Sequence, residues 1–157
     1  MDFGFTNDPT TCIGVYKLDG KIILDEVIYR KGLSNSDISA LLKDAQVKGE
    51  IYADSAEPKS IDEVKKYGHK IFPTKKGADS INHGITLLQE QEMLVTRRSV
   101  NLKDELTKYS WKKDKLGNTL NVPIDAFNHA IDAARYLALI KLGKERKADF
   151  GFEVINF

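Results

Sequence analysis

Three carboxylates stand where apolar sequence would ordinarily exclude them. Asp2 precedes Phe3-Gly4-Phe5, Asp54 closes the run EIYAD, and Asp132 interrupts the helical pattern AFNHAIDAARYLALI. Desolvating an isolated carboxylate is costly, so each requires a compensating cation, an arginine or a set of hydrogen-bond donors. One divalent metal site shared by all three would meet that requirement. A hard cation such as Mg²⁺ takes oxygen ligands and keeps several waters for substrate phosphates, a combination that points to phosphodiester chemistry.

Each acid also has a plainer reading. Gly4, two residues after Asp2, leaves backbone room for a metal and a phosphate, whereas an ordinary near-terminal turn would place the same residues in solvent. Asp8 before Pro9 is common turn chemistry. Asp54 ends a strand at the carboxyl edge where open α/β sheets bind ligands, and it also has the position to cap the turn Ser55-Ala56-Glu57-Pro58. Glu57 is the second choice of ligand there. His129, Asp132 and Tyr136 share one helix face at spacings of three and four, so His129 is placed as an auxiliary to a scissile phosphate or to the attacking water. The plainer reading of Asp132 is a surface ion pair with Arg135. Asp125, seven residues before Asp132, is explained as a helix N-cap.

The basic pairs are less specific. Lys75 and Lys76 precede Gly77 and a helix start, where ammonium groups and a helix N-terminus together suit a DNA phosphate. Lys112 and Lys113, beside Trp111, have the composition of a duplex-backbone contact. Solvated loop lysines are the ordinary alternative for the first pair, and for the second it is a Trp111 that anchors the hairpin to the core.

These residues need elements to hold them. Thr11 to Leu18 and Lys21 to Tyr29 are β-branched runs around Asp19-Gly20, a hairpin signal. Ser34 to Val47 has helical spacing at Ile38, Leu41, Leu42 and Ala45. Glu50 to Asp54 reads as a buried strand, followed by a helix from Pro58 with Ser60 and Glu63 at capping-box spacing. A strand over His69 to Phe72, a helix from Ser80 to about Glu92 and a short strand at Met93 to Thr96 continue the alternation of a parallel crossover. A helix over Val100 to Tyr109, a polar hairpin to Val122 and a last helix that starts after Pro123, with Asp125 as its N-cap, and runs to about Leu142 complete the order. The expected class is α/β with a ribonuclease H-like mixed sheet: antiparallel strands first, then parallel crossovers, with flanking helices and an added polar hairpin. Its first strand should carry Asp2, with only Met1 before it, so the chain is expected to be a fragment cut in or just before that strand. Residues 1–142 form the expected domain and 143–157 a C-terminal tail.

Composition sets limits without choosing a function. The chain has 157 residues, 41% hydrophobic and 30% charged, which suits one folded domain. A formal net charge of +1 confines any nucleic-acid contact to local patches. The single Cys12, in an apolar run, argues against a disulfide framework or thiolate zinc site and fits a reducing compartment. No stretch approaches the ~20 apolar residues of a membrane span, and no membrane partner is expected.

Taken in order, DFGFTNDPT, LDEVIYR, IYADSAEPKSIDE, TKKGADSINHGI, ELTKYSWKKDKLGN and FNHAIDAARY resemble the nuclease domain of tailed-phage terminase large subunits. The resemblance runs from Asp2 to about Leu139. It implies a Mg²⁺- or Mn²⁺-dependent endonuclease using two ions, which cuts concatemeric double-stranded DNA during genome packaging. It places the metal-binding acids on Asp2, Asp54 and Asp132, with His129 and Asp8 in support and a DNA-facing loop at Lys75 and Lys76. It also implies as partners double-stranded DNA, a small terminase subunit, a portal protein and an ATPase domain of the same full-length chain, in the host cytoplasm. No G-x-x-x-x-G-K-[ST] phosphate loop occurs in these residues, so ATP hydrolysis is not expected of them. The competing expectations are another ribonuclease H-like nuclease, such as a junction resolvase or hybrid cutter, and a non-catalytic docking domain for portal or small subunit.

Overall fold

The computed structural model describes residues 1–75, 77 and 79–142. Lys76 and the tail 143–157 lie outside the described residues.

Strands β1 (Thr10–Leu18) and β2 (Lys21–Arg30) pair antiparallel around Asp19-Gly20. Both turn residues have positive φ, 50° and 77°, which is why Asp-Gly suits this hairpin. A register shift between Cys12 and Ile13 marks a bulge in β1. Helix α1 (Asn35–Asp44) starts at Ser34, whose side chain and that of Asp37 form a reciprocal capping box. Then β3 (Ile51–Asp54), α2 (Pro58–Lys66) and β4 (Ile71–Thr74) make the expected parallel crossover, with Asp54 opposite Thr74. After α3 (Ser80–Gln89), β5 (Met93–Val95) returns to pair parallel with β2. Helix α4 (Val100–Lys108), the hairpin of β6 (Trp111–Lys113) and β7 (Thr119–Pro123), and helix α5 (His129–Lys141) complete the order.

The strand expected at Asp2 is reduced to one antiparallel bridge. Asp2 and Thr11 exchange backbone hydrogen bonds of 2.9 and 2.8 Å, and the Met1 amino group donates to the Tyr52 carbonyl at 2.6 Å. Met1-Asp2 therefore lies between β1 and β3 and joins the two ladders. Two cores cover opposite faces of this layer. One gathers Ile13, Ile22 and Leu24 under α3, α4 and α5. The other gathers Met1, Cys12, Ile51 and Ala53 under α1 and α2.

Four local expectations are corrected. Glu57, not Ser60, is the N-cap position of α2, because Pro58 already occupies its first turn; the Ser60 hydroxyl instead donates to Glu57 at 3.5 Å. Helix α3 ends at Gln89 rather than Glu92, and β4 is shifted to end on Thr74. Helix α5 starts at His129 with Asn128 at its N-cap position, three residues after Asp125, so the exposed Asp125 does not cap it. No helix among the described residues is long and apolar enough to cross a membrane.

Helix α5 sits close to its neighbours because it is rich in alanine: Ala130, Ala133, Ala134 and Ala138 are all buried. Where it meets α3, Gly84 leaves space for the buried Arg135 stem; a Cβ on Gly84 would lie 2.3 Å from Arg135 Cγ. The near end of a buried side chain cannot swing aside cheaply. Gly84→Ala should therefore lower the unfolding free energy by about 1–3 kcal/mol, read from urea unfolding against the parent.

Candidate active site

Strand alternation decides which face each acid takes. Met1 and Phe3 pack on the α1/α2 side, so Asp2 between them turns toward α5. In β3, Ile51 and Ala53 enter the same α1/α2 core, which turns Tyr52 and Asp54 toward α5. The two acids come from separate strand segments and meet at one side chain. The Tyr136 hydroxyl lies 3.1 Å from Asp54 Oδ2 and 3.4 Å from Asp2 Oδ1. Burial pushes that hydroxyl's pKa far up, and the negative charges of Asp2, Asp132 and Asp54 push it further, so the phenol stays a donor.

The remaining oxygens are engaged as well. Asp54 Oδ1 accepts the Ala56 amide at 2.9 Å, so this residue caps its turn and reaches the site at once. Asp2 Oδ2 lies 3.3 Å from His129 Nδ1, and His129 Nε2 lies 3.5 Å from Asp8 Oδ1. His129 is thus set between two acids. Its pKa is raised above 6.5, first by the hydrogen bond to Asp2 and further by the charges of Asp2, Asp8 and Glu105, against the opposing effect of burial.

Asp132 occupies the same face of α5 but is held by Arg135, Nε to Oδ1 at 3.0 Å. The ion pair offered as the plainer reading of Asp132 does form, but it is not exposed: the Arg135 side chain is buried, at 2% exposure, and that of Asp132 half-buried, at 18%. Breaking such a pair from one side strands a buried charge, which costs far more than an exposed pair contributes. Among the described residues, no three His, Cys, Asp or Glu side chains gather closely enough to form a metal cage as they stand. Asp2 and Asp54 meet at Tyr136, while Asp132 is turned to Arg135.

The outlying residues separate from this centre. Glu57 is exposed and lines a groove with Phe5, Ser34 and Glu63 on the α1/α2 side. Lys75 is exposed, one residue past Thr74 and hence beside the Asp54 end of the sheet. Lys112 and Lys113 are exposed on β6. Their hairpin is tied to α3 by Asn82 Nδ2 donating to the Asn121 carbonyl at 3.2 Å, and its second strand leads through Ile124–Asn128 into His129.

Sequence reasoning missed the group that holds the start of α5. Glu105 of α4 is 2% exposed. Its Oε2 accepts the amides of Ala130 at 2.8 Å and Ile131 at 3.2 Å, and its Oε1 accepts the Tyr29 hydroxyl at 2.9 Å. A carboxylate from another helix thereby takes the place of an N-cap side chain. Thr11 adds a hydroxyl bond of 2.9 Å to the His129 carbonyl. The available signal was spacing, since Glu105 follows the buried Leu102 by three and so faces inward.

A mixed sheet with helices on both faces and acids converging on its last helix defines a ribonuclease H-like α/β domain. The chain belongs to the terminase RNase H-like domain family, which it matches over residues 2–139. It is 33% identical over 143 residues to the terminase large subunit of Bacillus phage SPP1, covering 87% of this chain and 34% of that protein. The chain thus spans about a third of the length of this curated relative. The nuclease domain of the SPP1 large terminase, solved with bound Mn, superposes with a TM-score of 0.80 at 30% identity, over 89% of this chain and 82% of that one. The large terminase of a thermophilic bacteriophage shares the fold, with a TM-score of 0.69 at 21% identity over 90% of this chain and 38% of that one.

Two outcomes follow from the anchoring of α5 and His129. Glu105→Ala should destabilise the fold by about 2 kcal/mol, because two helix amides and a phenol lose their partner, with Glu105→Gln intermediate in denaturant titration. In EDTA, NMR titration should place the His129 pKa above the ordinary 6.5, and Asp2→Asn should lower it. Because the folded value is raised, the stability linked to His129 is complete below that ordinary value and is lost as pH rises through the folded one. His129→Gln should abolish this pH dependence.

Proposed function

We propose that this chain is the cutting portion of a phage terminase large subunit, an endonuclease for concatemeric double-stranded DNA. The observation that carries the reading is the meeting of Asp2 and Asp54, from different strands, on the face of α5 that also bears His129 and Asp132. Family membership over 2–139 and the Mn bound in the SPP1 nuclease domain support it.

The donor set fits a hard divalent cation. All the acids offer oxygen, a carboxylate has about four lone-pair sites, and the buried Thr74 hydroxyl, opposite Asp54 in register, has no hydrogen-bond partner among the described residues. In this reading Asp2, Asp54 and Asp132 hold a pair of Mg²⁺ or Mn²⁺ ions, with Asp132 released in part from Arg135. When bound, such a pair lowers the pKa of water and stabilises the departing oxygen in phosphodiester hydrolysis. His129, whose protonated form Asp2 and Asp8 favour, serves as an auxiliary that turns from Asp8 to a phosphate oxygen or to the attacking water. Asp8 orients that ring from the open side of the site. Lys75 and the hairpin's Lys112 and Lys113 contact the DNA backbone, with Lys76 assigned the same role from sequence.

The domain proper is 1–142, with 143–157 a tail. An ATPase domain of the same full-length chain, a small terminase subunit and a portal protein are the proposed partners, and the host cytoplasm the proposed place of action.

Conversion of supercoiled plasmid to nicked and linear forms, in Mg²⁺, Mn²⁺ or EDTA, tests the reading. Metal-dependent cutting by the parent should fall at least about 100-fold in Asp54→Ala and Asp132→Ala, both folded by circular dichroism. A folded parent that cuts nothing in Mn²⁺, alone or joined to its ATPase domain, would sink it.

A further inference from the structure

The proposed ligands Asp2 and Asp54 have a geometric problem that the backbone alone does not solve. They sit on separate segments, and among the described residues no backbone hydrogen bond joins one directly to the other. The main-chain link between their segments is the Met1 amino group on the Tyr52 carbonyl. Carboxylates brought this close repel and would rotate apart unless a donor between them binds both.

Tyr136 stands at that point. It is 2% exposed and its ring lies against the Arg135 guanidinium, 5.0 Å from the ring centre, so the hydroxyl has little freedom to move. It reaches Asp54 Oδ2 at 3.1 Å and Asp2 Oδ1 at 3.4 Å. The opposite oxygens are held by the Ala56 amide and by His129. Each acid is therefore fixed at both oxygens, and the two share the phenol. With about four lone-pair sites on a carboxylate, a cation can bind both acids alongside these bonds.

We propose that Tyr136 is a positioning residue that sets the spacing of Asp2 and Asp54 for a shared divalent cation. The inference rests on the metal-dependent nuclease reading above. The hydroxyl acts on the ligands and not on the substrate. Outer groups that orient ligand side chains in this way are worth about 10- to 100-fold in metal affinity.

The test is Mn²⁺ binding to the full chain, by calorimetry and by the paramagnetic resonance signal of free Mn²⁺, for the parent, Tyr136→Phe and Asp54→Ala. Circular dichroism and thermal unfolding in EDTA report folding. Tyr136→Phe keeps the buried ring and should bind Mn²⁺ at least about 10-fold more weakly while remaining folded. Unchanged affinity overturns the proposal, and tighter binding also does so, because it would make the hydroxyl a competitor of the cation. Parent binding that survives Asp54→Ala, or no parent binding at all, overturns the metal reading itself and the proposal with it. Should Tyr136→Phe fail to fold, the parent labelled with ¹³C in its tyrosine rings decides: Mg²⁺ should shift the Tyr136 ring signal along the calorimetric binding curve. A silent signal overturns the proposal.

Discussion

The packing of α5 across the sheet is the contact on which the site depends. Its alanines let the helix axis approach β1 and β3 closely, and that approach is what brings a tyrosine hydroxyl within reach of strand-borne carboxylates. A bulky residue at Ala130, Ala133, Ala134 or Ala138 would lift the helix, and the Tyr136 bonds of 3.1 and 3.4 Å would be lost first. The helix start is fixed with equal care. Glu105 of α4, itself bonded to Tyr29 of β2, and Thr11 of β1 both act on its first turn. Elements far apart in the chain thus agree on one placement for His129.

Electrostatics explains how acids so close to one another are tolerated. Asp2, Asp8, Asp54 and Asp132 would be costly neighbours if each relied on solvent, and each has a compensating group instead. Arg135 faces Asp132, His129 is set between Asp2 and Asp8, and Tyr136 and the Ala56 amide hold Asp54. The charges of Asp2 and Asp8 in turn favour the protonated imidazole. Arg135 itself is accommodated only because Gly84 on α3 has no side chain. A residue outside the site therefore controls a charge inside it.

Much of this was legible in the chain. The Asp-Gly turn, the strand ending on Asp54, the crossover helix and the alanine-rich last helix all carry local signals, because turn chemistry and hydrophobic period act over a few residues. The same local logic placed His129, Asp132 and Tyr136 on one face and offered Arg135 as the partner of Asp132. It went wrong at caps. Asp125 and Ser60 had the right residue type in the right neighbourhood, but a helix end takes its partner from whatever the fold brings near, and for α5 that was Glu105 from another helix.

The sequence by itself determined the order of elements, the helix face shared by His129, Asp132 and Tyr136, and the resemblance to one family. Periodicity of two in strands and 3.6 in helices is a property of neighbouring residues, so it survives without knowledge of the fold. Only the tertiary structure decided that the Arg135 of the Asp132–Arg135 pair would be buried, because burial depends on what packs over it. It alone also decided that Met1-Asp2 would sit between β1 and β3 and that one phenol would join Asp2 to Asp54. The Met1–Tyr52 contact and the two Tyr136 contacts link residues 51 to 134 positions apart along the chain, and no local pattern encodes them.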